Sequence, residues 1–309
     1  MTHRIPIKNI SLILFYILVF ALPCSTFAAN TFSFDKEQVP QNKPKAAVVI
    51  VRPENSFSAQ YTNDLMFSLQ NELLINGMDI VIGKENATNT DTVVMYVDFS
   101  IESGLLSRVR TENQYIYFVE NISRVTYTTS FSTVTNATPF IEMSLSLDTQ
   151  ILGLTDNSYD SIETIDSLFG RSANLMANLV FAAFTDTSNV TGTWHDVLGS
   201  AVVEIPDKQN NGKYVGYVKK ANQYSNGFSI GEKAYHISSN SNSTETLTGE
   251  LKVRYKNGKE PEWLPAEFIF IGNLMIIKTS SPKPPARMNF YTKRPQSQAN
   301  TFSGHTNML

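Results

Sequence analysis

Cysteine is nearly missing from this chain of 309 residues: its one thiol, Cys24, falls within the first thirty positions. Disulfides therefore cannot hold the fold together, and downstream of Cys24 thiol nucleophiles and zinc–thiolate centres are excluded. A hydrophobic core must carry the stability instead. Long apolar runs are scarce too. The run Ile10–Leu22 (ISLILFYILVFAL) spans 13 residues, short of the roughly 20 that a helix needs to cross a bilayer. No basic block stands out, and 25 Lys and Arg face 28 Asp and Glu, so nucleic acid is a poor partner. Two catalytic templates are missing as well. No phosphate-binding G-x-x-x-x-G-K-[ST] loop occurs, and neither H-x-H nor H-E-x-x-H spacing is present. The S-x-x-K at Ser280–Lys283 contains Pro282 and lies where no helix could set its geometry. Nothing in the chain calls for a cofactor.

What is present begins with an address. Arg4 and Lys8 precede the apolar run, Pro23 ends it, and Thr26-Phe27-Ala28 puts a small residue at each of two peptidase-read positions. Residues 1–28 are expected to be a signal peptide, which sends the protein to the periplasm or outside the cell. Cys24 follows Leu22-Pro23, where a lipoprotein signal would carry a small residue. Once residues 1–28 are removed, no cysteine and no membrane-spanning run is left, and 23 basic residues face 28 acidic ones.

Residues 29–44 are polar, contain Pro40 and Pro44, and read as a linker. The segment 45–186 then alternates strand and helix signals. Ala46 to Val51 is a short β-branched run stopped by Pro53. Ser58 is placed to cap a helix in which Tyr61, Leu65, Leu69 and Leu73 recur at helical spacing, with Gly77 as its stop. Met78–Ile82, Thr92–Ile101, Gln114–Glu120, Arg124–Ser130 and Phe140–Leu154 read as strands. Asp160-Ser161-Ile162-Glu163 resembles a capping box opening a second helix, with Ile165, Leu168, Leu175, Met176 and Leu179 on one side. The expectation is an α+β domain, a mostly antiparallel sheet with two amphipathic helices packed on it.

After Thr185 the character changes to short alternating runs separated by turn residues. Asn211-Gly212, Asn257-Gly258 and Gly272-Asn273 each sit between two such runs and mark hairpins, since both turn positions must tolerate positive φ. Residues 188–280 therefore predict an all-β meander closing into a small barrel. Residues 281–309, with prolines at 282, 284, 285 and 295, read as an extended segment followed by a largely disordered tail. Gly192-x-Trp194 heads this β unit. Gly199-Ser200-x-Val202-Val203-Glu204-Ile205, Tyr214-Val215-Gly216, Thr248-Gly249 and Glu262-Trp263 follow it. The set resembles the lipocalin signature and a lipocalin-like domain of small exported bacterial proteins, over about 90 of the 309 residues. The resemblance implies that Trp194 closes the barrel base and that Gly192 lets the chain pass closely beneath it. The unit is shorter than a true lipocalin and lacks the later motifs.

The candidate ligand-binding residues are Trp194, Trp263, Tyr214 and Tyr217, with Lys252, Arg254 and Lys256 as polar contacts on one face of the LKVRYK strand. The function expected is binding, of a small apolar or amphipathic molecule or of another envelope component, without catalysis. Two alternatives remain open. One is a secreted hydrolase or metal-dependent enzyme, in which His195, His236 and Glu204 would have to converge, although adjacent His195 and Asp196 point to opposite faces of a strand. The other is a periplasmic adaptor of a membrane complex.

Overall fold

The computed structural model describes residues 30–87, 91–110, 115–149, 151–152, 161–185, 189–198, 201–207, 213–220, 228–238, 246–253, 260–279 and 288–293. The signal segment, the turns at Asn211-Gly212 and Asn257-Gly258, and most of the tail lie outside these residues.

The architecture is α+β followed by a closed all-β unit. Strands β1 (Thr31–Phe34), β2 (Ala46–Pro53), β3 (Asp79–Ile80), β4 (Thr92–Arg110), β5 (Tyr115–Thr133) and β6 (Ile141–Asp148) form one sheet in the order β1-β6-β5-β4-β2-β3. Pairing is antiparallel from β1 to β4. It is parallel between β4, β2 and β3, because helix α1 (Thr62–Ile75) returns the chain to the starting end before β3. The sheet is therefore mixed. Helix α1 buries the expected stripe Leu65, Leu69 and Leu73, each worth about 1.5–3 kcal/mol relative to exposure. Gly77, at φ +83, follows its end. Helix α2 (Ile165–Ala183) buries Leu168, Phe169, Leu175, Met176, Leu179 and Val180 beside it.

Several local expectations are corrected. Ser58 caps nothing: it is buried in a helical turn, Ser56–Ala59, capped by Asn55, and its hydroxyl accepts from the Ile101 N–H at 2.9 Å. Residues 161–162 are the two-residue strand β8 (Ser161–Ile162), and α2 is capped by Thr164, whose hydroxyl accepts from Ser167 N–H. The runs 114–120 and 124–130 merge, from Tyr115 on, into one strand, β5, and Gln114 lies outside the described residues. The run 140–154 breaks after Asp148, before the two-residue strand β7 (Ile151–Leu152), which pairs with β8. Within the stretch read as a linker, Thr31–Phe34 is strand β1, with Phe32 buried and paired opposite Met143. Its two phenylalanines alternate with polar residues, a signal too short to register against its surroundings.

Eight strands then close a barrel in simple chain order: β9 (Gly192–Asp196), β10 (Val202–Ile205), β11 (Lys213–Lys220), β12 (Lys233–Ser238), β13 (Thr246–Val253), β14 (Glu262–Ile271), β15 (Leu274–Thr279) and β16 (Met288–Thr292). Gly272-Asn273 forms the expected two-residue turn, joining Ile271 to its partner Leu274. Closure depends on β16, which pairs β15 on one side and β9 on the other. Residues 288–292, read as part of an extended tail, are thus the closing strand; the four flanking prolines hid a five-residue alternation. The barrel does not stand apart from the sheet. Val197, Ile271, Leu274, Ile276, Met288 and Phe290 from its outer wall share one buried cluster with Leu168, Met176 and Leu179 of α2. The Arg171 guanidinium of α2 donates to the Leu198 carbonyl at 2.8 Å and is held by nearly buried Glu163.

Candidate functional site

Strand alternation divides the barrel residues into an inner and an outer set. The inner set includes Trp194, Val203, Ile205, Val218, Tyr235, Ile237, Leu247, Phe268, Phe270, Met275, Ile277 and Tyr291, which make one buried cluster. Their rings interlock edge to face or tilted: Trp194–Phe270 at 5.7 Å, Tyr235–Phe268 at 5.6 Å and Tyr235–Tyr291 at 6.1 Å. Glycines make room for them. A Cβ at Gly216 would come within 2.5 Å of the Tyr235 ring. One at Gly249 would come within 2.9 Å of Phe268 and closer still to the His236 carbonyl. The two inner phenols hydrogen-bond each other, and burial pushes both pKa values up, with the Asp196 charge adding to it. Both therefore stay neutral. This is how a solid core is built: large rings against small residues, with the polar atoms paired.

Trp194 is fully buried at one end of this core, and its indole N–H donates to the Val190 carbonyl at 2.9 Å. The Lys293 ammonium lies 4.8 Å from its ring centroid, and burial lowers the pKa of that lysine. Gly192, at φ +126, lies where the Lys293 stem passes, 3.5 Å from the place a Cβ would occupy. The backbone there is one that other residues rarely adopt. Trp194 and Gly192 thus sit together at an end of the barrel, capped by a lysine that no sequence signal had singled out.

Trp263 lies on the outer wall, and so do His195, Glu204, His236 and Lys252, by their register opposite other outer positions. The Trp263 ring stacks on His236 at 4.0 Å with an 11° interplanar angle. The Lys252 ammonium is 5.8 Å from the Trp263 centroid and pairs with Glu232 at 2.6 Å. On the other side of His236, its Nδ1 is 3.6 Å from a Glu250 carboxylate oxygen. One half-buried aromatic pair is thereby flanked by a lysine and two carboxylates. Tyr214 packs partly buried against the inner cluster, and Tyr217 is half-buried beside Glu204 in the register. The structure therefore splits the candidate residues. Trp194 and Tyr214 belong to the core, while Trp263 and Lys252 belong to the outer face. Arg254 and Lys256 lie outside the described residues.

The groups needed for the enzymatic alternative stay separate. Glu204 pairs with Lys219 and His236 faces Glu250. Among the described residues, no three His, Cys, Asp or Glu side chains come together as a metal site. A G-x-S-x-G pentapeptide, Gly227-Phe228-Ser229-Ile230-Gly231, does occur in the chain, but its setting is not the strand–turn–helix of a nucleophile elbow. Ser229 sits in a turn leading into β12, where its N–H donates to the Glu232 carboxylate at 3.0 Å and its carbonyl accepts from the Glu232 N–H. Among the described residues, no helix is long and apolar enough to cross a membrane.

No protein-family model matches the chain, and no curated protein matches it. Among solved structures it is similar to a PelC dodecamer subunit from Paraburkholderia phytofirmans, at 14% identity and a TM-score of 0.31, over 49% of this chain and 96% of that one. It is also similar to a hemagglutinin homolog from Helicobacter pylori, at 13% identity and a TM-score of 0.26, over 47% of this chain and 84% of that one. At this distance the likenesses carry no functional inference.

Proposed function

We propose that this chain is an exported, non-enzymatic protein of the bacterial cell envelope that acts by binding another envelope component. The contact surface is the outer barrel wall around Trp263. One observation carries the reading: the aromatic residues that would line a ligand chamber fill it instead, whereas Trp263 stands outside with His236, Lys252 and Glu250 around it. A half-buried aromatic pair ringed by charges of both signs is the composition of a contact patch on a protein surface, where Trp is over-represented among the residues that carry binding energy. In support of this reading, residues 1–28 have the composition of a signal peptide, which would carry that surface out of the cytoplasm.

The test is a photo-crosslinking residue at position 250 in the exported protein, in intact cells, with native mass spectrometry of the purified chain alongside. A discrete protein adduct that Trp263→Ala abolishes, with a bare chain mass, supports the reading. Trp263→Ala is expected to leave the unfolding midpoint nearly unchanged, as surface substitutions usually do. A small molecule that co-purifies at fixed stoichiometry, with no adduct from position 250, returns the function to a ligand held by the protein.

A further inference from the structure

Helix α1 is apolar on two opposite sides. Leu65, Leu69 and Leu73 are buried in the core that the sheet shares with α2. On the other side, by the 3.6-residue period, Phe67 and Leu74 stand in water, and Ile75 lies beside them. The three are 71%, 54% and 62% exposed. Among the described residues six large apolar side chains are exposed, and three of the six are these, so the exposure is gathered on one helix and not scattered. A helix on the surface of a globular protein ordinarily turns polar residues to solvent, and one that is apolar all round is buried. The core covers only the first stripe of α1. By that rule the second stripe calls for a partner.

The charge pattern decides which partner fits. The exposed residues of α1 are Asn63, Asp64, Phe67, Asn71, Leu74 and Ile75. Asp64 is the one charge among them, and it lies in the first turn, at one end of the group. Glu72 is turned aside to Asn174, whose amide donates to it at 3.2 Å. The helix holds no lysine or arginine. A helix that lies on a lipid surface carries such cations on its polar face, so a membrane is a poor match. A patch without charge at its centre needs no opposite charge on its partner and does not repel itself, so a second copy of this chain meets it without penalty.

Phe67, Asn71 and Ile75 form one i±4 ridge, and packing such ridges together is the commonest way for two helices to meet. Asn71, at the middle of the ridge, then lies nearest a two-fold axis, where its side-chain amide can both donate to and accept from its twin. The area suffices. The three apolar side chains leave on the order of 350 Å² in water, the size of patch that is often functional on a monomer. At about 60% apolar surface, a contact built on them covers about 600 Å² per copy and about 1,200 Å² in all, enough for a stable pair.

We infer that α1 is a homodimer face, on which Phe67, Asn71, Leu74 and Ile75 pack against the same residues of a second copy about a two-fold axis. The face lies on a different element from the barrel wall around Trp263, and neither reading depends on the other.

The experiment is sedimentation equilibrium of the exported chain over a range of concentrations, without lipid or detergent. A monomer–dimer equilibrium is expected. The double variant F67E/L74E places two acids per copy in the contact. It should raise the dissociation constant at least about 30-fold, since losing one central anchor of an interface weakens binding by about that much. Both positions are exposed, so the circular dichroism spectrum and the urea midpoint should stay those of the unaltered chain. Trp263→Ala should leave the dimer intact, which separates this face from the barrel wall. A second measurement needs no disruptive variant. The chain has no cysteine after Cys24, so a single Asn71→Cys reports one position, and a bis-maleimide should join two copies through it. Thr128→Cys should not be joined, because Thr128 is exposed and alternates with buried Tyr127 and Thr129, which puts it on the sheet face away from the helices. Three results would overturn the inference: a monomer at every concentration, a dimer that F67E/L74E leaves unchanged, or cross-linking at position 128 as ready as at position 71. A monomer that partitions onto phosphatidylcholine vesicles through Phe67 is a case of the first, and would assign the stripe to lipid.

Discussion

Replacing Trp194 by alanine tests whether the barrel is a packed core. The side chain is fully buried, with the Phe270 ring centroid at 5.7 Å and the Lys293 ammonium at 4.8 Å. Truncating a buried Trp costs about 3–5 kcal/mol in lost contacts and unfilled space. The substitution also removes the donor to the Val190 carbonyl at 2.9 Å, and a buried acceptor left unpaired costs about 1–3 kcal/mol more. The expected loss, about 4–8 kcal/mol, is a large share of the roughly 5–15 kcal/mol that holds a folded protein together. The assay is urea unfolding of the exported chain, followed by far-ultraviolet circular dichroism and by Trp263 emission. Because the barrel's outer wall and helix α2 share one core, the two probes should report one transition, with its midpoint lowered in the variant. Trp194→Phe keeps most of the apolar area and loses the hydrogen bond, so it should fall between the two. A cost below about 1 kcal/mol for Trp194→Ala would refute the filled-barrel reasoning, since a side chain lining an open chamber leaves little to collapse.

Three further outcomes follow from the same contacts. Arg171→Ala strips nearly buried Glu163 of its bidentate partner and the Leu198 carbonyl of its donor. Thermal or urea unfolding should show a loss of about 3–5 kcal/mol, part of which Glu163→Met combined with Arg171→Met recovers, because an apolar pair leaves no charge buried. Burial raises the pKa of Glu72, opposed only by the hydrogen bond from Asn174. The folded chain therefore holds that proton more tightly than the unfolded chain, and the group's contribution to stability is lost as pH rises from about 4.5 through the raised value. Glu72→Gln should accordingly raise stability near neutral pH and flatten the pH dependence of the urea midpoint across that window. Finally, a fragment starting at residue 188 would expose Ile271, Leu274, Ile276, Met288 and Phe290 to water. Size-exclusion chromatography should find it aggregated, and a monodisperse, folded fragment would show that the shared core is dispensable.

The barrel was legible because its signals are local. Gly272-Asn273 fixes a turn over four residues, and the alternation on either side says which face goes inward. The helix stripe Leu65, Leu69 and Leu73 was legible for the same reason. What escaped was decided by distance along the chain. Phe32 needs Met143, more than a hundred residues away, before Thr31–Phe34 counts as a strand. Met288–Thr292 needs both β15 and β9. The parallel pairing of β2 with β4 places Ala46 beside Thr92 across a helix and a second strand. Trp194 and Trp263 look alike as letters, and only the register puts one at an inner position and the other at an outer one. Lys293 gave no signal at all, because it matters only through the Trp194 ring it covers.

These placements bear on where binding can occur. The barrel has two sides of unequal use. On one, β15, β16 and the far end of β14 press Leu274, Ile276, Ile271 and Phe290 into the core shared with α2, so that side is spent on stability. The interior is spent in the same way, by Trp194, Tyr235, Phe268 and Phe270. Of the outer wall that remains, the part formed by β12, β13 and the near end of β14 brings His236, Glu250, Lys252 and Trp263 together from three strands. A surface assembled from three neighbouring strands of a solid barrel is held rigid by the core behind it. Rigidity lowers the ordering cost of binding, so on the proposed reading the buried inner cluster serves the surface as well as the stability. The inner cluster would then support the proposed contact face on the barrel's outside.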